Sequence, residues 1–218
     1  MNDALTASTS WVRRLREPSF VFGAILAAAW LAPLVSGWSV VLQSVLGAGS
    51  VLVIIRSVVR DGVKPSQLGL RVDNLLVSSF FLLLTIVPLA ALHLLVGKPG
   101  FHWSRVPTYF VWAFFQQLVI VAGAWRHFPQ PTLSSMTWRS GLGAAALAAG
   151  FFALAHAPNL VLMELVFGAE LVWLICFMRL RNVFALALVH ALAANVVRYD
   201  LVPGCLSSLK VGVRYWWP

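Results

Sequence analysis

Several side chains that could do chemistry lie inside long apolar runs of this 218-residue sequence. In hydrocarbon an unpaired amide costs roughly 2–7 kcal/mol, and a charged group costs more unless it is paired or neutralised. The polar residues inside the apolar runs are Gln43, His93, Gln116, Gln117, His156, Glu164, Glu170, His190 and Asn195. Each of them therefore needs a partner or a function.

The adjacent amides Gln116 and Gln117 interrupt the apolar stretch VWAFFQQLVIVAG. On a helix they share a broad face with small residues such as Ala113 and Gly123, which predicts that they face other helices. As interhelical hydrogen-bonding groups they would each contribute about 0.6 kcal/mol. In a reactive site they could orient water, but an amide has no proton-accepting state near neutral pH. The residues alone leave both interpretations open, packing and water positioning.

Two histidines in later apolar runs are candidates for acid–base chemistry. His156 follows Phe152 by four residues, so a helix places both on one face. Asn195 follows His190 by five residues, so these two can flank one cavity without sharing a face. Membrane histidines are either satisfied packing residues or functional groups. Because no third ligand is defined, we expect neither a zinc site nor a cofactor.

Two glutamates offer a carboxylate in the same region. The short turn over 157–160 returns the chain beside the preceding run, so Glu164 is expected about one helical turn from the membrane face at which His156 lies. If Glu164 is buried there it could act as a base, and if it is interfacial and solvated it has no part in the site. Glu170 lies deeper in its run and is expected to pair with a histidine or an amide of another helix.

The composition that surrounds these residues is that of an integral membrane protein. Hydrophobic residues make up 60% of the chain and charged residues 11%, against about 25% charged in soluble domains. The net charge of +9 comes from basic residues at the ends of apolar runs, not from a patch that would bind nucleic acid. About seven runs approach the roughly 20 residues that cross a bilayer, namely 19–36, 37–55, 75–96, 107–124, 141–157, 160–178 and 183–198. We therefore predict an all-α, polytopic membrane helix bundle.

The sequence predicts one membrane domain over residues 1–218. Lys and Arg are concentrated in the N-terminal segment 1–18 and in alternate connections, which predicts a cytoplasmic N-terminus. Residues 199–218 are then a C-terminal tail on the opposite side. The link HAPNL is so short, with Pro158 as its breaker, that the fifth and sixth runs are predicted to form an antiparallel hairpin.

Three elements in order, the adjacent polar pair, FFALAH and HALAAN, resemble the CPBP family of CAAX-processing and bacteriocin-processing intramembrane proteases. The resemblance covers residues 66–198 and begins at SQLGLR. The family pattern is a Glu pair followed by an Arg, then Phe-x-x-x-His, then a His with Asn or Asp four residues on. By this resemblance Gln116 and Gln117 stand at the Glu pair, and His156 and His190 stand at the two histidines.

In such enzymes a carboxylate activates water against a peptide carbonyl, while His and Asn position the water and stabilise the oxyanion. The resemblance thus implies an endopeptidase of a bacterial cytoplasmic membrane that cleaves a membrane-associated, prenylated or exported peptide. His156, His190, Asn195 and Glu164 are the expected participants, with the two amides beside them.

The sequence departs from the family pattern in three places. Both glutamates of the pair are Gln, Val121 stands at the Arg position, and the Asn comes one residue late. Loss of a general base typically lowers the rate about 10²- to 10⁴-fold. The alternative is therefore an inactive relative, a pseudoprotease, whose cavity binds a membrane peptide or a membrane protein partner. A small transporter is a third interpretation, since intramembrane His and Glu also form proton relays.

Overall fold

The computed structural model describes residues 2–35, 37–96, 101–127, 138–201 and 209–215. Within these ranges the chain is helical and contains no β-strand. The α-helices in these ranges are α1 (Asn2–Trp30), α2 (Ser39–Arg60), α3 (Leu75–Leu84), α4 (Val87–Val96), α5 (Val106–Gly123), α6 (Trp138–Leu154), α7 (Leu160–Leu180) and α8 (Val183–Val196). The predicted all-α fold is confirmed.

The outside of the bundle is apolar, as expected of a protein in lipid. Leu76 and Leu95 are 85% and 84% exposed, and a surface of this kind is unfavourable in water. In the described part of the chain, four segments are long and apolar enough to cross a membrane, and they are Arg16–Leu34, Ser39–Arg60, Trp103–His127 and Leu160–Leu180. Shorter apolar helices accompany them at Leu75–Leu84, Gly141–Leu154 and Val183–Tyr199. The chain is an integral membrane protein, while the count of seven spans and their sidedness stay predictions.

One predicted helix was wrong. The run 75–96 is not one helix, because α3 ends at Leu84 and α4 begins at Val87. Pro88 explains the break, since proline has no N–H and its ring would clash with the carbonyl four residues earlier. The Thr85 hydroxyl donates to the Leu82 carbonyl oxygen at 2.6 Å and closes the broken turn. Helix α1 begins at Asn2, ahead of the predicted first span 19–36, and its apolar part belongs to the candidate membrane span Arg16–Leu34.

Helix α8 lies at the centre of the bundle and carries the densest run of buried residues. Leu186 and Val189 have no exposed surface. Ala187 and Ala191 of α8 pack with Ala113 of α5, and small residues of this kind let two helix backbones approach closely. Helices α6 and α7 are joined by a short turn and pack against each other, which confirms the predicted hairpin. Side chains of α5, α6, α7 and α8 that point inward therefore converge.

The loop before α3 sets the position of α8. Gly69 adopts a left-handed conformation with φ of +77°, and a Cβ added to it would lie 2.7 Å from the Phe177 ring. Its carbonyl oxygen accepts from the Val183 N–H at 2.9 Å. The Asn182 side chain caps α8 by accepting from the Ala185 N–H at 3.0 Å, which satisfies a helix-terminal donor. The glycine of SQLGLR is therefore required by close approach to the α7–α8 turn.

A partly buried arginine connects α1 and α2 to the rest of the bundle. Arg126, just after α5, donates to Glu17 Oε1 at 2.7 Å and to Asp61 Oδ2 at 2.9 Å. It also donates to the Ser57 hydroxyl and to the Ala122 carbonyl oxygen. Charge-assisted hydrogen bonds to several partners are among the stronger polar contacts. This Arg126 cluster therefore holds α1, α2 and α5 together at one end of the bundle.

Candidate functional site

A cavity of about 230 Å³ lies where α5, α6, α7 and α8 converge. Its wall includes three of the predicted site residues, Gln116, His156 and His190, together with the aromatic rings of Phe152 and Trp173. The rest of the wall is largely apolar. The structure thus brings Gln116, His156 and His190, from three separate apolar runs, to one cavity.

His190 is held from behind by a buried polar network that crosses three helices. Gln117 Nε2 donates to Glu170 Oε2 at 2.8 Å and lies 3.1 Å from His190 Nδ1. An amide nitrogen can only donate, so His190 Nδ1 accepts, and the neutral imidazole carries its hydrogen on Nε2. Gln117 and Glu170 have no exposed surface. The network therefore fixes His190 as a hydrogen-bond donor through its Nε2.

His156 has the opposite hydrogen-bonding polarity. Its Nδ1 lies 2.8 Å from the Phe152 carbonyl oxygen. A carbonyl oxygen can only accept, so Nδ1 carries the hydrogen, and Nε2 of the neutral ring keeps its lone pair. His156 stands in the turn after α6 and not within the helix, which brings its ring to the cavity. One histidine of the wall is therefore an acceptor at Nε2 and the other is a donor.

Aromatic rings fix the orientation of both imidazoles. The Phe152 ring makes edge contacts with His156, at 5.0 Å between centroids, and with His190, at 5.7 Å. The Trp173 ring lies 5.4 Å from that of His190. Its indole N–H donates to Thr85 Oγ1 at 3.0 Å, so the break between α3 and α4 supplies the partner that this buried indole needs. No motif in the sequence indicated Trp173 or Thr85.

Asn195 does not line the cavity. Its side chain is buried, and its Oδ1 accepts from the His102 N–H at 3.1 Å while its Nδ2 donates to the His102 carbonyl oxygen at 2.9 Å. Both ends of the amide are thus used to hold the segment that leads into α5. The residue four positions after His190 that does reach the cavity wall is Ala194. The sequence predicted that Asn195 takes part in the site, and the structure does not bring it there.

Glu164 is likewise not brought to the histidines. It is exposed on α7 and is absent from the cavity wall. The carboxyl group that reaches the network is Glu170, six residues on. The prediction that Glu170 pairs with an amide or a histidine is confirmed. The sequence indicated this pairing of Glu170, because Glu170 is an acidic residue deep in an apolar run.

The described residues contain no group of three or more His, Cys, Asp or Glu that could hold a metal ion. The absence of a cofactor remains a prediction.

A charged side chain, Arg198, lies on the cavity wall just after α8. Its guanidinium lies 6.0 Å from the centre of the Tyr109 ring and 5.8 Å from that of Tyr199. Cation–π contacts of this kind keep the guanidinium at one side of the cavity.

These features define a class of protein, a polytopic helical membrane protein in which a histidine of the α6–α7 turn and a histidine of α8 meet at a cavity inside the bundle. Residues 107–196 match the family model described as Type II CAAX prenyl endopeptidase Rce1-like. The resemblance to the CPBP family is confirmed over this segment, and the matched family is a family of membrane endopeptidases. Comparisons with curated proteins and with solved structures gave no significant match.

The match covers α5 to α8, less than half of the chain, and contains most of the polar groups at the cavity. Within it, the structure separates the two amides of the glutamine pair. Gln116 is on the wall, whereas Gln117 lies behind it against Glu170. Ala194 occupies the position where the family pattern has Asn or Asp. The cavity wall therefore carries the two histidines and one amide of the glutamine pair.

Proposed function

We propose that the chain is an intramembrane endopeptidase of the CAAX-processing type in which two histidines act without a carboxylate on the cavity wall. The observation that supports this proposal is the opposite polarity of His156 and His190 in a single cavity. The substrate is a peptide that is membrane-associated, prenylated or exported. Hydrolysis needs an acceptor for the proton of water and a donor for the carbonyl oxygen, and the two rings supply one of each.

His156 is the proposed general base. Its Nε2 lone pair accepts a proton from water while the water oxygen attacks the peptide carbonyl carbon. The Nδ1–H, donated to the Phe152 carbonyl oxygen, keeps this tautomer in place and stabilises the imidazolium that forms. His156 then returns the proton to the leaving nitrogen, so that the products are a carboxylic acid and an amine. Gln116, whose amide is on the same wall, is proposed to orient the water.

His190 is the proposed donor to the developing oxyanion. A donor helps only if it is held where the charge forms, and a single oxyanion donor typically contributes about 10²- to 10³-fold in rate. Gln117 and Glu170 supply that constraint, since the amide donates to both the carboxyl group and Nδ1 of His190. Glu170 is thus a positioning residue that acts through Gln117.

A pseudoprotease is the second candidate function, and a specific observation favours it. Within the described residues no Asp or Glu lines the cavity, and Val121 and Ala194 replace the Arg and Asn of the family pattern. In that case the same cavity binds a membrane peptide, or a segment of a membrane protein partner, without cleaving it. The apolar wall and the fixed polar groups would then serve recognition alone.

Cleavage of labelled peptides by the reconstituted protein separates these two functions. The panel contains apolar membrane peptides with and without a prenylated cysteine, and products are identified by mass spectrometry. The proposal expects cleavage by the wild type, a loss of at least about 100-fold in His156→Ala and in His190→Ala, and no loss in the control Glu164→Gln. Loss of cleavage in Glu164→Gln would restore Glu164 as the base.

An inert wild type would favour the pseudoprotease. The double variant Gln116→Glu/Gln117→Glu then shows whether the cavity is otherwise competent. If this variant gains cleavage while the wild type binds the same peptides uncut, the endopeptidase proposal is wrong and the binding function stands.

A further inference from the structure

A segment outside the family match closes one side of the cavity. Residues 209–212, here called the strap, follow the family-like helices in sequence and return to the turn that carries His156. The strap contributes the Leu209 side chain to the cavity wall. The residues matched by the family model end at 196, so this part of the wall is a feature of this chain beyond the matched segment.

Gly212 anchors one end of the strap beside His156. Its N–H donates to the Ala157 carbonyl oxygen at 2.6 Å. Its backbone is left-handed, with φ of +61°, and a Cβ there would collide with the Ala29 carbonyl group of α1. Both features demand glycine, because other residues rarely adopt this conformation and none fits the space. The strap is therefore fixed between α1 and the α6–α7 turn.

A second anchor lies at the start of α7. The Asn159 side chain donates to the Lys210 carbonyl oxygen at 3.4 Å, while its Oδ1 accepts from the Leu162 N–H at 3.3 Å. Leu209 also packs against an apolar cluster that includes Leu162 and Val197. Hydrogen bonds at Lys210 and Gly212, together with the packing of Leu209 on this cluster, hold the Leu209 side chain in place at the cavity wall.

We propose that Leu209 determines the size of the apolar group that the cavity accepts. This inference rests on the proposed function, since it concerns the peptide ligand of the same site. The ligand class is a peptide with an apolar side chain that enters the cavity beside His156, and Leu209 forms the far wall of that subsite. In an apolar pocket, one methylene of misfit changes recognition by about 10-fold or more.

The test measures capture of three benzophenone-labelled peptides that differ only in one side chain, Ala, Leu or naphthylalanine. Photocross-linking to full-length protein in detergent gives the ratio of large-group to small-group capture. Leu209→Ala is expected to raise this ratio by about 10-fold, and Leu209→Phe to lower it by a similar factor. The matched control is Val211→Ala, which alters the strap beside the apolar cluster but leaves the cavity wall unchanged.

Gly212→Ala provides an independent variant, because it displaces the strap without altering Leu209. It is expected to relax size selection in the same direction as Leu209→Ala. An unchanged capture ratio in both Leu209 variants would overturn this inference, even if the wild type cleaves peptides. Conversely, a shifted ratio with no cleavage by any variant leaves the size-selecting role in place and refutes only the endopeptidase proposal.

Discussion

The network behind His190 predicts a strong energetic coupling between two residues that are far apart in sequence. Gln117→Leu removes the amide that donates to Glu170 and to His190. Each lost hydrogen bond costs about 1 kcal/mol, and a buried carboxyl group left without its donor costs a further 1–3 kcal/mol or so. We therefore expect Gln117→Leu to lower the free energy of unfolding by roughly 3–5 kcal/mol, well above the ~0.6 kcal/mol of an average interhelical hydrogen bond.

Glu170→Leu removes the carboxyl group that would be left without a donor. The double variant Gln117→Leu/Glu170→Leu should therefore be less destabilised than the sum of the single variants, with a coupling energy of about 1–2 kcal/mol. The measurement is reversible unfolding in mixed micelles of increasing dodecyl sulfate content, followed by circular dichroism for all four proteins. Additive effects within about 0.5 kcal/mol would refute the network as a coupled unit.

Three further predictions concern the groups that hold the site in place. The Arg60 guanidinium lowers the pKa of Asp61 to about 2, so stability should be constant above a pH of about 4 and fall as the pH drops towards 2; Asp61→Asn should remove that dependence in acid unfolding. Gly69→Ala should lower the free energy of unfolding by about 1–3 kcal/mol, because Ala resists its left-handed backbone, and unchanged unfolding would contradict the close approach. Asn195→Ala should cost about 2 kcal/mol through two lost hydrogen bonds to His102 while peptide capture per folded molecule stays the same, and a selective loss of capture would place Asn195 in the site after all.

The helical class and the helices that carry the site were predictable from sequence because they depend on local patterns. Long apolar runs require helices in a bilayer, where every backbone polar group must be satisfied within the segment. A common site for the glutamine pair, His156 and His190 was implied by the family resemblance and not by the apolar pattern. The break at Pro88 was also encoded locally, and the apolar length of the run obscured it.

The partners of the polar groups were less accessible from sequence, since they depend on helix rotation and depth. Asn195 and Ala194 are adjacent, and only about 100° of helix rotation decides which one reaches the cavity. Glu164 and Glu170 are both acidic residues of α7, but Glu164 is exposed and Glu170 is buried. No sequence pattern indicated the strap, because the position of Leu209 depends on hydrogen bonds made by Gly212 and Asn159.

The amide on α5 and the carboxyl group on α7 together hold His190 in place without a carboxylate pair on α5. A carboxyl group is present, but Glu170 carries it on α7, and the Gln117 amide stands between it and His190. Because an amide donates to both neighbours at once, it fixes the imidazole as a donor and cannot pass a proton from ring to carboxyl. Under the endopeptidase proposal the base is then His156, so His156→Gln should abolish cleavage while Glu170→Gln, which keeps an acceptor for Gln117, should retain most of it. Retained cleavage in His156→Gln with loss in Glu170→Gln would reverse this assignment.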